Sequence, residues 1–277
     1  MSTFMAASSR EGKQLHDAVF QFGQAAQAAM AAYGRERVVN ATVGCYAGED
    51  EVLGCLPVVE EIYRSLPMAD FITYAPPIGL ADYRKAAIDE TFEAYRPEGY
   101  IDAVATAGGT GAIHIAIANY SEIGDDVLAS DWRWGIYGSL CQEIGRRLTT
   151  FALLDESGAF NIESFSSAVA DVLRKQDSLL IILNTPANNP TGFALSDQDW
   201  AEVLQVCRFH EKQGKRVSIL VDIAYIAYAG EKNESPYLYE AVQQLAAPFV
   251  RHGGLQHVQG LYAVRAAGRR SRRRVVQ

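Results

Sequence analysis

Two runs in the second half of the chain constrain its fold more than any other feature. SLLIILNTP (Ser178–Pro186) and VSILVDIAY (Val217–Tyr225) are almost continuously apolar over the length of a strand. A strand with one face in water alternates apolar and polar residues, whereas one buried on both faces does not. Such strands need helices above and below them. The neighbouring segments supply these, because NIESFSSAVADVLRKQ and SDQDWAEVLQVCRFHEKQG both read as helices. The second opens on Ser196 with Asp199 three residues on, the spacing of a capping box. VLAS (Val127–Ser130) and TTFALL (Thr149–Leu154) are shorter strand candidates; AVATA is a further one, followed by glycines and the apolar helix AIHIAIANY. Strands alternating with helices predict an α/β fold with a mainly parallel sheet.

Toward the N-terminus, a helix is predicted over Gly12–Tyr33, where Leu15, Val19, Phe22, Ala26, Met30 and Tyr33 recur at three- and four-residue steps. A second covers Ala81–Tyr95, and the glycine-rich VVNATVGCYAGEDEVLGCLP between them reads as an irregular or short-stranded connection. With 277 residues, 49% of them hydrophobic, the chain can bury a substantial core as one large domain or two smaller ones. No apolar run reaches the roughly 20 residues of a membrane span. The N-terminus lacks the apolar stretch of a secretory leader. Cys45, Cys55, Cys141 and Cys207 are scattered, without metal spacing, and read as reduced thiols of a cytoplasmic protein. A net charge of −8 argues against polyanion binding through the body of the protein.

Three strand ends carry residues with chemical potential. Gly108, Gly109, Thr110 and Gly111 stand at the start of an apolar helix, whose free amides and dipole can hold an anion; the alternative is a tight turn needing positive φ. NTPANNPTG (Asn184–Gly192) follows a buried strand, the edge at which α/β sheets bind ligands. Pro186 and Pro190 restrict that loop so that it can present Asn189 in one direction. Asp222 ends the other apolar strand, with Tyr225 three residues later. A carboxylate there is costly to desolvate unless a cation or strong donor meets it; the alternative is a cap on a backbone turn. SDWRWGIY (Ser130–Tyr137) offers aromatic faces, among them Trp134, which could stack on a planar ring or belong to the core.

Together GGTGA, NNPTG and DIAY, in this order and at these strand ends, resemble the pyridoxal-phosphate aminotransferases of class I, the fold type I group containing aspartate and aromatic amino-acid aminotransferases. YAPPIGLADYRKA (Tyr74–Ala86) is similar to that family's Y-x-P-x-x-G-L-x-x-[FY]-R-x-A segment, and VVNATVGCY to its substrate-loop segment. The resemblance runs from Val38 to about Leu245. It implies pyridoxal 5′-phosphate as cofactor and amino acids and 2-oxo acids as substrates, in amino-acid metabolism. By the same resemblance, Gly109 and Thr110 bind the cofactor phosphate, with Gly108 and Gly111 shaping the loop. Trp134 stacks on the pyridine ring, Asn189 and Tyr225 donate to its phenolic oxygen, and Asp222 pairs with the protonated ring nitrogen. Tyr74 reaches the phosphate of the partner subunit in a homodimer, and Gly44 contacts the substrate carboxylate through its backbone.

One part of the family's pattern is missing. The resemblance requires a Schiff-base lysine in S-x-S-K-x-x-x-x-x-G-x-R after the next strand, yet no lysine follows Lys232, which lies in the polar stretch GEKNESP and reads as a solvated loop residue. From Ala241 onward the chain holds seven arginines and neither lysine nor acid. One set of synonymous codons for His257–Arg269, read one base later, gives MSKGFTLYGLRA, the family's lysine segment. The expectation is therefore a frame change between about Ala241 and Val250. The organisation expected is an N-terminal helix and arm (1–60), an incomplete cofactor-binding large domain (61–245) and an aberrant basic tail (246–277). The lysine-side strands and the C-terminal small-domain segment are expected to be missing, leaving unpaired sheet edges, exposed apolar surface and a chain unable to transaminate. Two other readings are a non-catalytic remnant whose tail binds nucleic acid, and a lyase or synthase of the same fold. Neither nucleic acid nor a membrane is the partner expected.

Overall fold

The computed structural model describes residues 18–42, 54–92, 96, 100–229 and 261–264. The chain divides into two compact units, Met1–Tyr74 and Ala75–Gln277. In the first, α1 spans Ala18–Tyr33, α2 Pro57–Ser65 and α3 Met68–Ile72. Helix α1 falls within the predicted Gly12–Tyr33, whose first residues lie outside the described ones. Neither α2 nor α3 buries a residue, and Val58, Val59, Ile62, Met68 and Phe71 are all exposed.

The second unit contains α4 (Ala81–Phe92), α5 (Gly108–Tyr120), β1 (Asp126–Ser130), α6 (Ile136–Glu143), β2 (Arg147–Phe151), α7 (Ile162–Leu173), β3 (Ser178–Asn184), α8 (Asp197–Glu211), β4 (Arg216–Asp222) and β5 (Leu261–Val264). Its sheet has the order β2-β1-β3-β4-β5, and every pairing is parallel. The apolar runs are buried on both faces, as predicted. Leu128, Ile181, Leu183, Val217, Ile219 and Val221 face Phe165, Val169, Trp200, Val203 and Leu204 of α7 and α8. Val127, Ala129, Leu180, Ile182 and Leu220 face Ile113, Ile117, Tyr137 and Cys141 of α5 and α6. Alternate residues of one strand thus feed two cores, which is why the strands carry no polar alternation. The capping box at α8 forms: Ser196 accepts from the Asp199 amide at 3.2 Å, and the Asp199 carboxylate accepts from the Ser196 amide at 2.8 Å.

Two expectations need correction. AVATA forms no strand among the described residues; its backbone is held instead by a hydrogen bond from the Ala105 amide to Ile78 O at 2.9 Å. A strand requires a laterally paired edge, and no described strand lies beside this segment. Nor is the outer edge of β4 left unpaired. Leu261–Val264, inside the basic tail, pairs with it in register Ile219↔Leu261 to Asp222↔Val264. LYAV is an uncharged run among the arginines, and a bare strand edge accepts any extended segment that can reach it. Of the cysteines, Cys141 and Cys207 are buried and Cys55 is exposed, all three as free thiols, while Cys45 lies outside the described residues. Burial pushes the two core thiols up, Cys141 to about 11 and Cys207 to about 12.

Candidate active site

Because the strands are parallel, their C-terminal ends share one edge of the sheet. Helix α5 runs back toward the start of β1 through a short turn, so its N-terminus lies at that same edge. Register places Asn184 directly beside Asp222. Three loops and one helix start therefore meet where the sequence had placed its candidates.

Asp222 is 5% exposed. Its Oδ2 accepts a hydrogen bond from the Tyr137 hydroxyl at 2.6 Å, and its Oδ1 accepts from the Ala224 amide at 3.1 Å. Burial holds the carboxyl above the usual carboxylate range, and the two hydrogen bonds oppose that rise. The Tyr137 hydroxyl is pushed upward by burial first and by the neighbouring carboxylate second, so it stays a donor. Trp134 stands edge-on to Tyr137, with ring centroids 5.8 Å apart, which brings the indole into the carboxylate's surroundings.

The NTPANNPTG loop is tied to the same strand end. Asn184 donates from Nδ2 to Asp222 O at 2.9 Å, and its Oδ1 accepts from the Asn189 amide at 2.6 Å. Buried Asn188 accepts from Thr191 Oγ1 at 2.9 Å and donates to Trp132 O and Asn184 O, each at 3.3 Å. Both proline peptide bonds, Thr185–Pro186 and Asn189–Pro190, are cis. Asn189 Nδ2 donates to the Tyr225 hydroxyl at 3.1 Å, joining two residues picked separately from the sequence.

At α5, Gly108 takes φ +69°, the left-handed conformation that favours glycine, and its amide bonds back to Thr106 O at 2.8 Å. The turn takes the positive φ that one reading of the glycine cluster required, and the Gly109 and Thr110 amides lie at the helix start, where no intrahelical acceptor reaches them. Gly111 N donates to Ala107 O at 3.3 Å. Tyr74 is fully exposed in the N-terminal unit. Gly44 and Lys232 lie outside the described residues. The described lysines lie elsewhere: Lys175, Lys212 and Lys215 precede strands β3 and β4, at the opposite sheet edge, and Lys85 is on α4, paired with Asp89. No group of three or more His, Cys, Asp or Glu able to hold a metal occurs among the described residues.

Sequence reasoning assigned no role to Tyr137, Asn184 or Asn188. A buried tyrosine needs a partner for its hydroxyl, which is a signal. The identity of the partner is decided only by the sheet order.

The chain as a whole matches a known family. The profile of aminotransferase class I and II covers residues 36–252. The chain belongs to this family. It is 25% identical over 243 residues to the aromatic-amino-acid aminotransferase of Escherichia coli, covering 84% of this chain and 59% of that protein. Against the mitochondrial aspartate aminotransferase of Gallus gallus it is 24% identical, covering 82% of this chain and 54% of that protein. Among solved structures it resembles an aminotransferase from Anaerococcus prevotii, at 35% identity and a TM-score of 0.80 over 88% of this chain and 59% of that one. It also shares the fold of an aromatic-amino-acid aminotransferase from Burkholderia pseudomallei covalently bound to pyridoxal phosphate, with TM-score 0.66, 24% identity, and 89% of this chain and 59% of that one covered. This aminotransferase-family chain thus spans less than two thirds of the length of such relatives. No described helix is long and apolar enough to cross a membrane.

Proposed function

We propose that the strand-end site is a pyridoxal 5′-phosphate pocket and that the protein belongs to an amino-group transfer between amino acids and 2-oxo acids of aromatic or aspartate-like type. The observation that carries this reading is the convergence of buried Asp222 with the Asn189–Tyr225 pair at the C-terminal ends of adjacent parallel strands. The residues fit the group. A carboxyl this buried calls for a cationic partner, and the protonated pyridine nitrogen is one. When bound, the cofactor supplies an electron sink for the substrate carbanion.

The chain's own residues do the rest. Asp222 holds the ring-nitrogen proton, and Tyr137 steadies the carboxylate. Asn189 and Tyr225 would orient the ring through its phenolic oxygen, and Trp134 would cover one face. The Gly109 and Thr110 amides and the Thr110 hydroxyl hold the phosphate, within a loop shaped by Gly108 and Gly111. On the family's pattern, Gly44 takes the substrate carboxylate, and Tyr74 takes the phosphate across a homodimer. The apolar residues exposed on α2 and α3 support a second copy as the partner. Since no lysine follows Lys232, the 277-residue chain should hold the cofactor without a covalent link and should not exchange amino groups by itself.

Titration of the purified chain with pyridoxal 5′-phosphate, followed by tryptophan fluorescence and absorbance, tests the reading. Saturable binding that is weakened by Asp222→Ala is expected. Failure to bind, or binding indifferent to that substitution, would overturn it. An assay pairing amino acids with 2-oxo acids tests the inactivity, and turnover would contradict it.

A further inference from the structure

The phosphate-side amides of α5 have no strand to hold them. Residues Asp102–Ala107, which lead into Gly108, make no ladder bonds, although an anion site needs its donors kept in place. What fixes this segment is the stretch Ile78–Arg84, by three separate contacts. Ile78 O accepts the Ala105 amide at 2.9 Å. Gly79, at φ +91°, packs so closely that an added Cβ would stand 2.5 Å from Ala105 Cβ and 3.4 Å from Ala105 N. Arg84, on the first turn of α4, donates from Nε to Ala103 O at 2.6 Å and pairs through its terminal nitrogen with Asp102. Asp102 also accepts the Ala103 amide at 2.8 Å. Its carboxyl lies below the usual range, chiefly through the Arg84 hydrogen bond, so it stays charged.

We infer that Gly79 and Arg84 are positioning residues for the phosphate cradle, bracing Ala103–Ala105 so that the Gly109 and Thr110 amides converge on one anion. The brace stands in for lateral strand pairing. Gly79 is required because only a residue without Cβ permits both the positive φ and the approach to Ala105. Arg84 is required because a forked guanidinium can bind a carbonyl and a carboxylate at once. Neither residue touches the cofactor. Each acts through the three or four residues between Ala105 and the free amides.

This inference rests on the cofactor reading above, and the experiment separates the two. Dissociation constants for pyridoxal 5′-phosphate and for pyridoxal, which lacks the phosphate, are measured on the full chain and on Gly79→Ala and Arg84→Gln. Misdirecting one amide removes about one charge-assisted hydrogen bond, so affinity for the phosphorylated ligand should fall roughly tenfold, with pyridoxal binding unchanged. A merely structural role would weaken both ligands together or neither, and an unchanged ratio overturns the inference. Arg84→Gln adds no bulk and decides the matter if Gly79→Ala does not fold. Should the unsubstituted chain bind the phosphorylated ligand no better than pyridoxal, the cradle itself is wrong and the inference falls with it.

Discussion

Burial and hydrogen bonding act in opposite directions on the Asp222 carboxyl, and burial prevails. The folded chain therefore holds this proton more tightly than the unfolded chain does. The stability contributed by the group is complete below the ordinary carboxylate range and is lost as pH rises through the raised folded value. Asp222→Asn removes the titration and keeps an acceptor oxygen. Without cofactor, the variant should melt above the unsubstituted chain at pH 8, and the gap should close toward pH 4; a gap independent of pH would contradict the assignment. Tyr137→Phe acts on the same oxygen from the other side. Stranding Oδ2 without its donor should cost about 1–3 kcal/mol in urea unfolding, with an unaltered midpoint as the contrary result. Asp222 was legible in the sequence as a carboxylate out of place in an apolar strand. Tyr137 was not, because the need of a buried hydroxyl for a partner does not say which partner.

Among the elements, those with long-period or continuous apolar patterns match their predicted spans closely: β3, β4, α7 and α8 differ from expectation by a few residues at their ends. The cap at α8 was also readable, since its chemistry is local. Ser196→Ala should lower stability by about 1 kcal/mol in chemical denaturation, and Ser196→Asp, which can also cap, should recover much of that. Helix α6 was missed: it is only eight residues long with Gly138 inside it, too short to display a period. AVATA was misassigned for a related reason. β-propensity describes a surface ready to pair, but pairing itself is a long-range event. The same physics runs the other way in the tail, where four residues extend because β4 offers an edge.

For the molecule as a whole, the tail has changed meaning. Its arginines suggested either a polyanion arm or a stretch outside the fold, yet Leu261–Val264 adds a fifth parallel strand beside the strand that carries Asp222. A chain stopped after Gly254 would leave Ile219–Asp222 of β4 unpaired along one side. It should melt at lower temperature and grow faster in light scattering on mild heating than the full chain. Equal behaviour would mean that β5 adds nothing in solution. The N-terminal unit carries the complementary feature, a set of exposed apolar side chains on α2 and α3, consistent with the second copy proposed for them.

The sequence by itself determined the parallel α/β class, both doubly buried strands, the capped helix and the location of the candidate residues at strand ends. Each of these depends on burial periodicity or on turn chemistry within a few neighbours. The tertiary structure alone decided which of those residues meet. Asn189 and Tyr225 lie 36 positions apart, and Tyr137 and Asp222 lie 85 apart. Those meetings follow from lateral strand order, with β3 between β1 and β4, and nothing in the local pattern of a strand specifies its neighbours.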